Sequence, residues 1–148
     1  MAQTETTKVF LADRYEHFRD NLKSIFKKKE IDVIGEADAA ENLLDQLQRI
    51  KPQLLIVAHR LVDQNADEFL PIIKNRFPDV KILLLTLNCN KRVLVKYIAY
   101  LDGMLCKLSR KEDLLEAISE ITQKNKLYIR INRDAEEIKD QRQNKIRP

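Results

Sequence analysis

Asp13, Thr86 and Lys107 are the side chains of this sequence best suited to oxyanion or cation chemistry, and Ala58 holds the comparable place at the end of another apolar run. Each closes a short apolar run: Lys8-Val-Phe-Leu-Ala-Asp13, Leu54-Leu-Ile-Val-Ala58, Val80-Lys-Ile-Leu-Leu-Leu-Thr86 and Met104-Leu-Cys-Lys107. A carboxylate accepts a cation or an ammonium, whereas a hydroxyl and a lysine amine donate to an oxyanion. Arg14 and His59 stand directly after two of these positions, and a methyl at 58 offers no chemistry at all. Other catalytic signatures are missing. The only glycines are Gly35 and Gly103, so there is no glycine-rich phosphate loop, and no serine sits in a nucleophile elbow. Cys89 and Cys106 lack metal-type spacing and read as reduced, structural thiols. Nucleophilic and metal-assisted catalysis both lack support, and the expectation is a protein that is not an enzyme.

The elements that must position these residues alternate between two periods. Residues 8–13 read as a buried parallel strand, and 16–29 place Phe18, Leu22, Ile25 and Phe26 on one helical stripe. Ile31–Gly35 is a second strand, and 40–50 a helix facing inward through Leu43, Leu44, Leu47 and Ile50. Pro52 leads into a third strand. Residues 66–77 form a helix in which Pro71 must fall in the first turn to be tolerated. A fourth strand runs over 80–85, a helix over 91–101 and a fifth strand over 104–106. Ser109 is the predicted N-cap of the last core helix, with Asp113 near capping-box position. Five strand–helix repeats imply a doubly wound α/β domain with a five-stranded parallel sheet in the order 2-1-3-4-5. Ligands of such sheets gather at the carboxyl ends of the strands, which carry Asp13, Arg14, Ala58, His59, Thr86 and Lys107.

Composition bounds the rest. The 148 residues are 44% hydrophobic, enough for one core, and no apolar run is long enough to span a bilayer. The polar N-terminus carries no signal-peptide pattern, so the expected setting is cytoplasmic, with no membrane partner. Residues 1–123 hold 19 Lys+Arg and 19 Asp+Glu, whereas 124–148 hold eight against four, which is the whole excess of +4. Residues 130–148 read as a basic tail, helical or mobile, with a polar helix over 133–146.

From residue 8 to residue 129 the sequence resembles the receiver domain of bacterial two-component response regulators, most closely the subgroup that precedes LuxR-type (NarL-like) DNA-binding modules. The landmarks are Lys8–Asp13, Val33-Ile-Gly-Glu-Ala37, Lys51-Pro52-Gln-Leu-Leu-Ile-Val, Phe77-Pro-Asp-Val-Lys-Ile-Leu-Leu-Leu-Thr86 and Asp102-Gly-Met-Leu-Cys-Lys107 with the Leu-Leu-Glu-Ala-Ile helix after it. The resemblance implies a flavodoxin-like (βα)5 fold. It also implies a site where an aspartate ending the third strand takes a phosphoryl group, two acids hold Mg²⁺, and a hydroxyl and a lysine receive the phosphoryl oxygens. Mapped onto this sequence, Asp13, Thr86 and Lys107 remain. The acceptor is Ala58, the second acid is Arg14, and the aromatic usual on the fifth strand is Met104.

One carboxylate then faces Lys107 and Arg14, a formal balance of +1 with His59 neutral, where the family's site is acidic. That is a poor Mg²⁺ site, so the expectation is lost Mg²⁺ binding, no cofactor, and a pocket in which Asp13 pairs with Lys107 and Arg14 closes the cluster. Thr86 and Lys107 are then either an ancestral remnant or the seat of a small anion. His59 is expected to point away, since neighbours on a strand alternate faces. Asp63 and Asp67 lie several residues from the strand tip and are poor substitutes for the acceptor. Tyr97, Tyr100, Leu101 and Met104 are candidates for an interaction face, with core packing an equal contender.

The leading expectation is a phosphorylation-independent receiver domain acting as a protein-interaction or homodimerisation module in signalling or transcriptional control. Alternatives are a nucleic-acid-associated regulator using the basic tail, and a phosphorelay receiver with an unrecognised acceptor. The tail is too short for a helix-turn-helix, so direct sequence reading of DNA is not expected.

Overall fold

A computed structural model describes residues 6–131. The order is β1 (Thr7–Ala12), α1 (Glu16–Phe26), β2 (Ile31–Ala37), α2 (Ala40–Leu47), β3 (Leu54–Ala58), α3 (Ala66–Arg76), β4 (Lys81–Thr86), α4 (Lys91–Tyr97) with a 3-10 turn at Ile98–Tyr100, β5 (Gly103–Cys106), α5 (Lys111–Thr122) and β6 (Tyr128–Ile129). All strand pairs are parallel, in the order β2-β1-β3-β4-β5-β6. Every residue of β3 is buried, as a strand covered on both faces must be. One core layer lies under α2, α3 and α4, around Phe10, Leu43, Phe69 and Ile73. The other lies under α1 and α5, around Leu22, Phe26, Leu114 and Ile118.

The expected five-stranded sheet is therefore six-stranded. After α5 the chain crosses back and lays Tyr128 opposite Gly103 and Ile129 opposite Met104. Asp113, buried on α5, fixes this edge through Arg130 (Nη1 to Oδ1 2.8 Å), and Cys89 Sγ lies 2.8 Å from the Arg130 carbonyl oxygen. Asp113 thus serves as an anchor and not as a cap. The N-cap of α5 is Arg110 in place of Ser109, whose N–H is spent on the Cys106 carbonyl. The remaining tail, including the helix expected over 133–146, lies outside the described residues.

Pro71 is the sixth residue of α3, beyond the first turn where the sequence reading required it. The missing N–H is tolerated because Phe69, Leu70 and Ile73 are fully buried and Glu68 accepts from the Asn65 N–H at the helix start. At the other edge, the register between β1 and β2 shifts after Val9, so that Phe10 stands opposite Gly35. A Cβ on Gly35 would fall 2.5 Å from the Phe10 ring, which requires glycine there. The bulge lets β2 follow β1 to its end, so that Ala37 O receives the Asp13 N–H at 3.0 Å and seats the candidate carboxylate.

Candidate functional site

Asp13 follows the last residue of β1, with its side chain about 5% exposed. Both its oxygens are occupied: Oδ2 by Lys107 Nζ at 2.6 Å and Oδ1 by the Tyr15 N–H at 2.9 Å. Lys107 lies in the turn after β5, and its ammonium also sits 4.4 Å from the Phe18 ring centroid, so it leans towards α1. Thr86 ends β4, buried, with Oγ1 accepting the Asn88 N–H at 3.0 Å and its carbonyl accepting the Lys107 N–H. Ala58 ends β3 and is 4% exposed. The structure therefore brings Asp13, Ala58, Thr86 and Lys107 together at the strand ends. Arg14 does not close the cluster. It pairs with no carboxylate among the described residues, is exposed, lies along the rim of the strand-end cavity, and stacks its guanidinium 4.7 Å from the Tyr15 ring centroid.

Arg14, Ala58, Thr86 and Lys107, but not Asp13, border a cavity of about 590 Å³ between the β1, β3 and β4 ends and α4. His59 lines it too, contrary to the expectation that it points away. β3 ends at Ala58, so face alternation no longer governs the next residue. His59 Nε2 meets Tyr97 Oη at 3.0 Å, the rings packing edge-on, and Tyr97 donates a short hydrogen bond to Asp67 of α3. Lys96 pairs with the same carboxylate at 3.1 Å. This His59–Tyr97–Asp67 chain was missed by sequence reasoning. A tyrosine on an apolar stripe reads as core, and nothing in the spacing reveals that its hydroxyl reaches a neighbouring loop. Burial and then the Asp67 carboxylate push the Tyr97 phenol well above its ordinary pKa.

Of the four residues considered for an interaction face, Tyr97, Leu101 and Met104 are buried in the core and Tyr100 packs against it. Burial favours core packing. Asp63 is fully engaged elsewhere, its carboxylate accepting from the Ala40 and Glu41 N–H groups at the start of α2. Those bonds outweigh burial and hold its pKa below the ordinary value.

His59 has a pH signature. Burial lowers its pKa from the ordinary 6.5, Asp67 opposes this, and Lys96 and Arg60 reinforce it. The unfolded chain therefore binds a proton where the folded one resists it, so this contribution is complete above 6.5 and declines as pH falls through the folded pKa. The urea midpoint should fall between about pH 7 and pH 5.5, ahead of the carboxylates. His59→Asn should flatten that window, and an unchanged slope would exclude His59 as its source.

A divalent cation does not fit these residues. Mg²⁺ asks for carboxylate and water oxygens in near-octahedral array. Here Asp13 is the one carboxylate at the strand ends and both its oxygens are already bonded. No group of three or more His, Cys, Asp or Glu side chains able to hold a metal occurs among the described residues. Nor is any helix among them long and apolar enough to cross a membrane.

A doubly wound parallel sheet with an aspartate, a threonine and a lysine converging at its strand ends defines a receiver-type signalling domain. Residues 9–119 match the model of the response regulator receiver domain, and the chain belongs to that family. Among curated relatives it is 28% identical over 116 residues to the DNA-binding transcriptional activator DevR/DosR of Mycobacterium tuberculosis, covering 77% of this chain and 54% of that one. It is 24% identical over 113 residues to the response regulator protein VraR of Staphylococcus saprophyticus, covering 75% and 54%. The chain spans about half the length of these relatives. The non-phosphorylated receiver domain of the stress response regulator RcsB from Escherichia coli superposes with a TM-score of 0.80 at 22% identity, over 85% of this chain and 99% of that one. The receiver domain of the response regulator NarL from Mycobacterium tuberculosis gives 0.74 at 16% identity, over 81% and 98%. These structural likenesses concern the fold.

Proposed function

We propose that this chain is a receiver domain that works without phosphorylation, as a protein-interaction or self-association module in a bacterial regulatory system. The observation that carries the reading is the strand-end cluster itself: a methyl at Ala58, an arginine at 14 stacked on Tyr15, and Asp13 locked to Lys107 at 2.6 Å. A phosphoryl acceptor must present a free carboxylate beside a divalent cation that shields the incoming charge, and these side chains supply neither the carboxylate nor the oxygen ligands of such a cation. The domain's output is then set by what it binds. Regulation needs only a ligand or partner with different affinities for two conformations. Val95 and Ile98, exposed around the end of α4, supply apolar surface for such a contact. A transcriptional setting is supported by the relatives' descriptions, DevR/DosR being a DNA-binding activator. We propose no catalytic activity, and a cytoplasmic setting follows from the same role.

The test is intact-mass spectrometry of the chain after incubation with acetyl phosphate and Mg²⁺, followed by size-exclusion chromatography with light scattering. The mass and the oligomeric state should both be unchanged. A phosphoryl increment mapped to any aspartate would overturn the reading.

A further inference from the structure

We infer that the strand-end cavity is a binding site for a phosphate group, free or carried on a small organic molecule, gripped by Arg14 and Arg60. Four cationic side chains line it (Arg14, Arg60, Lys96 and Lys107) against one carboxylate, Asp67. Two of the cations are already neutralised. Lys107 is bound to Asp13 at 2.6 Å and Lys96 to Asp67 at 3.1 Å. Arg14 and Arg60 both line the cavity and form no ion pair among the described residues, so two of its lining cations have no carboxylate to balance them. Guanidinium matches phosphate geometry with paired N–H donors and is more weakly hydrated than ammonium, so it suits anion capture.

Thr86 supplies the orienting contact. It is 2% exposed, borders the cavity, and its Oγ1 is used as an acceptor by the Asn88 N–H, which leaves the hydroxyl proton to donate. The same charge balance that repels a metal ion therefore attracts its opposite. Size argues for more than a bare oxyanion. About 590 Å³ lies within the roughly 300–1,000 Å³ range of small-molecule pockets. Beyond the arginines the wall is partly apolar, with the Tyr15 ring and Leu87 available to an organic body. This inference deepens the phosphorylation-independent reading, since an acceptor carboxylate at 58 would compete for the same donors.

The experiment is isothermal titration calorimetry and thermal unfolding of the whole chain at matched ionic strength, with sodium phosphate, adenosine monophosphate, and adenosine as the uncharged control. No phosphodonor is present, so a negative result here is separate from the outcome of the acetyl phosphate assay. Phosphate or the monophosphate should bind and raise the melting temperature, and adenosine should not. Arg14→Gln and Arg60→Gln should each weaken binding about tenfold, as loss of a charged hydrogen bond does. Both side chains are exposed, so the variants should fold like the parent. Tighter binding of the monophosphate assigns the site to a phosphorylated small molecule, and equal binding assigns it to phosphate itself. Absence of binding by both, or binding that survives the double substitution, overturns the inference.

Discussion

Replacing Lys107 with alanine is expected to destabilise the fold by about 3–5 kcal/mol, the cost of leaving a buried charge without its partner. Asp13 is 5% exposed at the side chain and Lys107 12%, so water cannot take over the ammonium's role. The loss would appear as a lower urea midpoint with an unchanged slope. Three comparisons separate this cause from ordinary truncation. Arg14→Ala, at an exposed position stacked on Tyr15, should stay within about 0.5 kcal/mol of the parent. Arg49→Ala, breaking a pair whose side chains are 71% and 64% exposed, should cost about 0–1 kcal/mol. The double change Asp13→Asn with Lys107→Met removes both charges and should recover most of the loss, because the penalty belongs to the orphaned carboxylate. A Lys107→Ala protein as stable as the parent would show that Asp13 finds another partner, and the locked-pocket account would fail.

What the sequence revealed and what it hid divide along physical lines. The first five strands were legible because a parallel sheet buries both faces, so β3 and β4 are almost unbroken apolar runs. Their ends followed, and with them the meeting of Asp13, Ala58, Thr86 and Lys107. The sixth strand was legible only as a brief extended piece over 127–131, not as a rung of the sheet. Tyr128 and Ile129 form only two rungs, and what holds them is a salt bridge from Arg130 to an aspartate seventeen positions earlier. Likewise Ile34 looks like an ordinary strand residue until the β1 register shift is seen. Within the site, residue type predicted the Asp13–Lys107 pair, since one buried carboxylate beside one lysine has little choice. Arg14 had a choice between that pair and solvent, and a hydrated surface with the Tyr15 ring beside it won. His59 and Tyr97 meet across thirty-eight positions, and no local pattern encodes such a contact.

Restoring the missing carboxylate alone is expected to leave the chain unable to accept a phosphoryl group. Ala58→Asp would place a second acid near Asp13, but Lys107 would then balance one of the two and Arg14 would still stand at the mouth. Burying the new carboxylate at a position 4% exposed should cost about 1–3 kcal/mol of stability, which Mg²⁺ should not recover. Adding Arg14→Asp changes the balance: three carboxylates against one lysine make a hard-oxygen site, and repulsion among them is relieved only by a cation. The double variant should therefore be less stable than Ala58→Asp without Mg²⁺. It should gain about 1.4 kcal/mol when Mg²⁺ is at ten times its dissociation constant. Only the double variant should then take up a phosphoryl group from acetyl phosphate, detected by intact mass. The control that pairs Ala58→Asn with Arg14→Asp, an amide in place of the new acid, should take up none. Such a rescue would not restore a switch. The fifth-strand position that carries an aromatic in the family is Met104, fully buried in the core, so the added charge has no ring to move. If Ala58→Asp alone bound Mg²⁺ and was modified as efficiently as the double variant, Arg14 would be no barrier. The pocket's cationic balance would then be incidental to the proposed independence from phosphorylation.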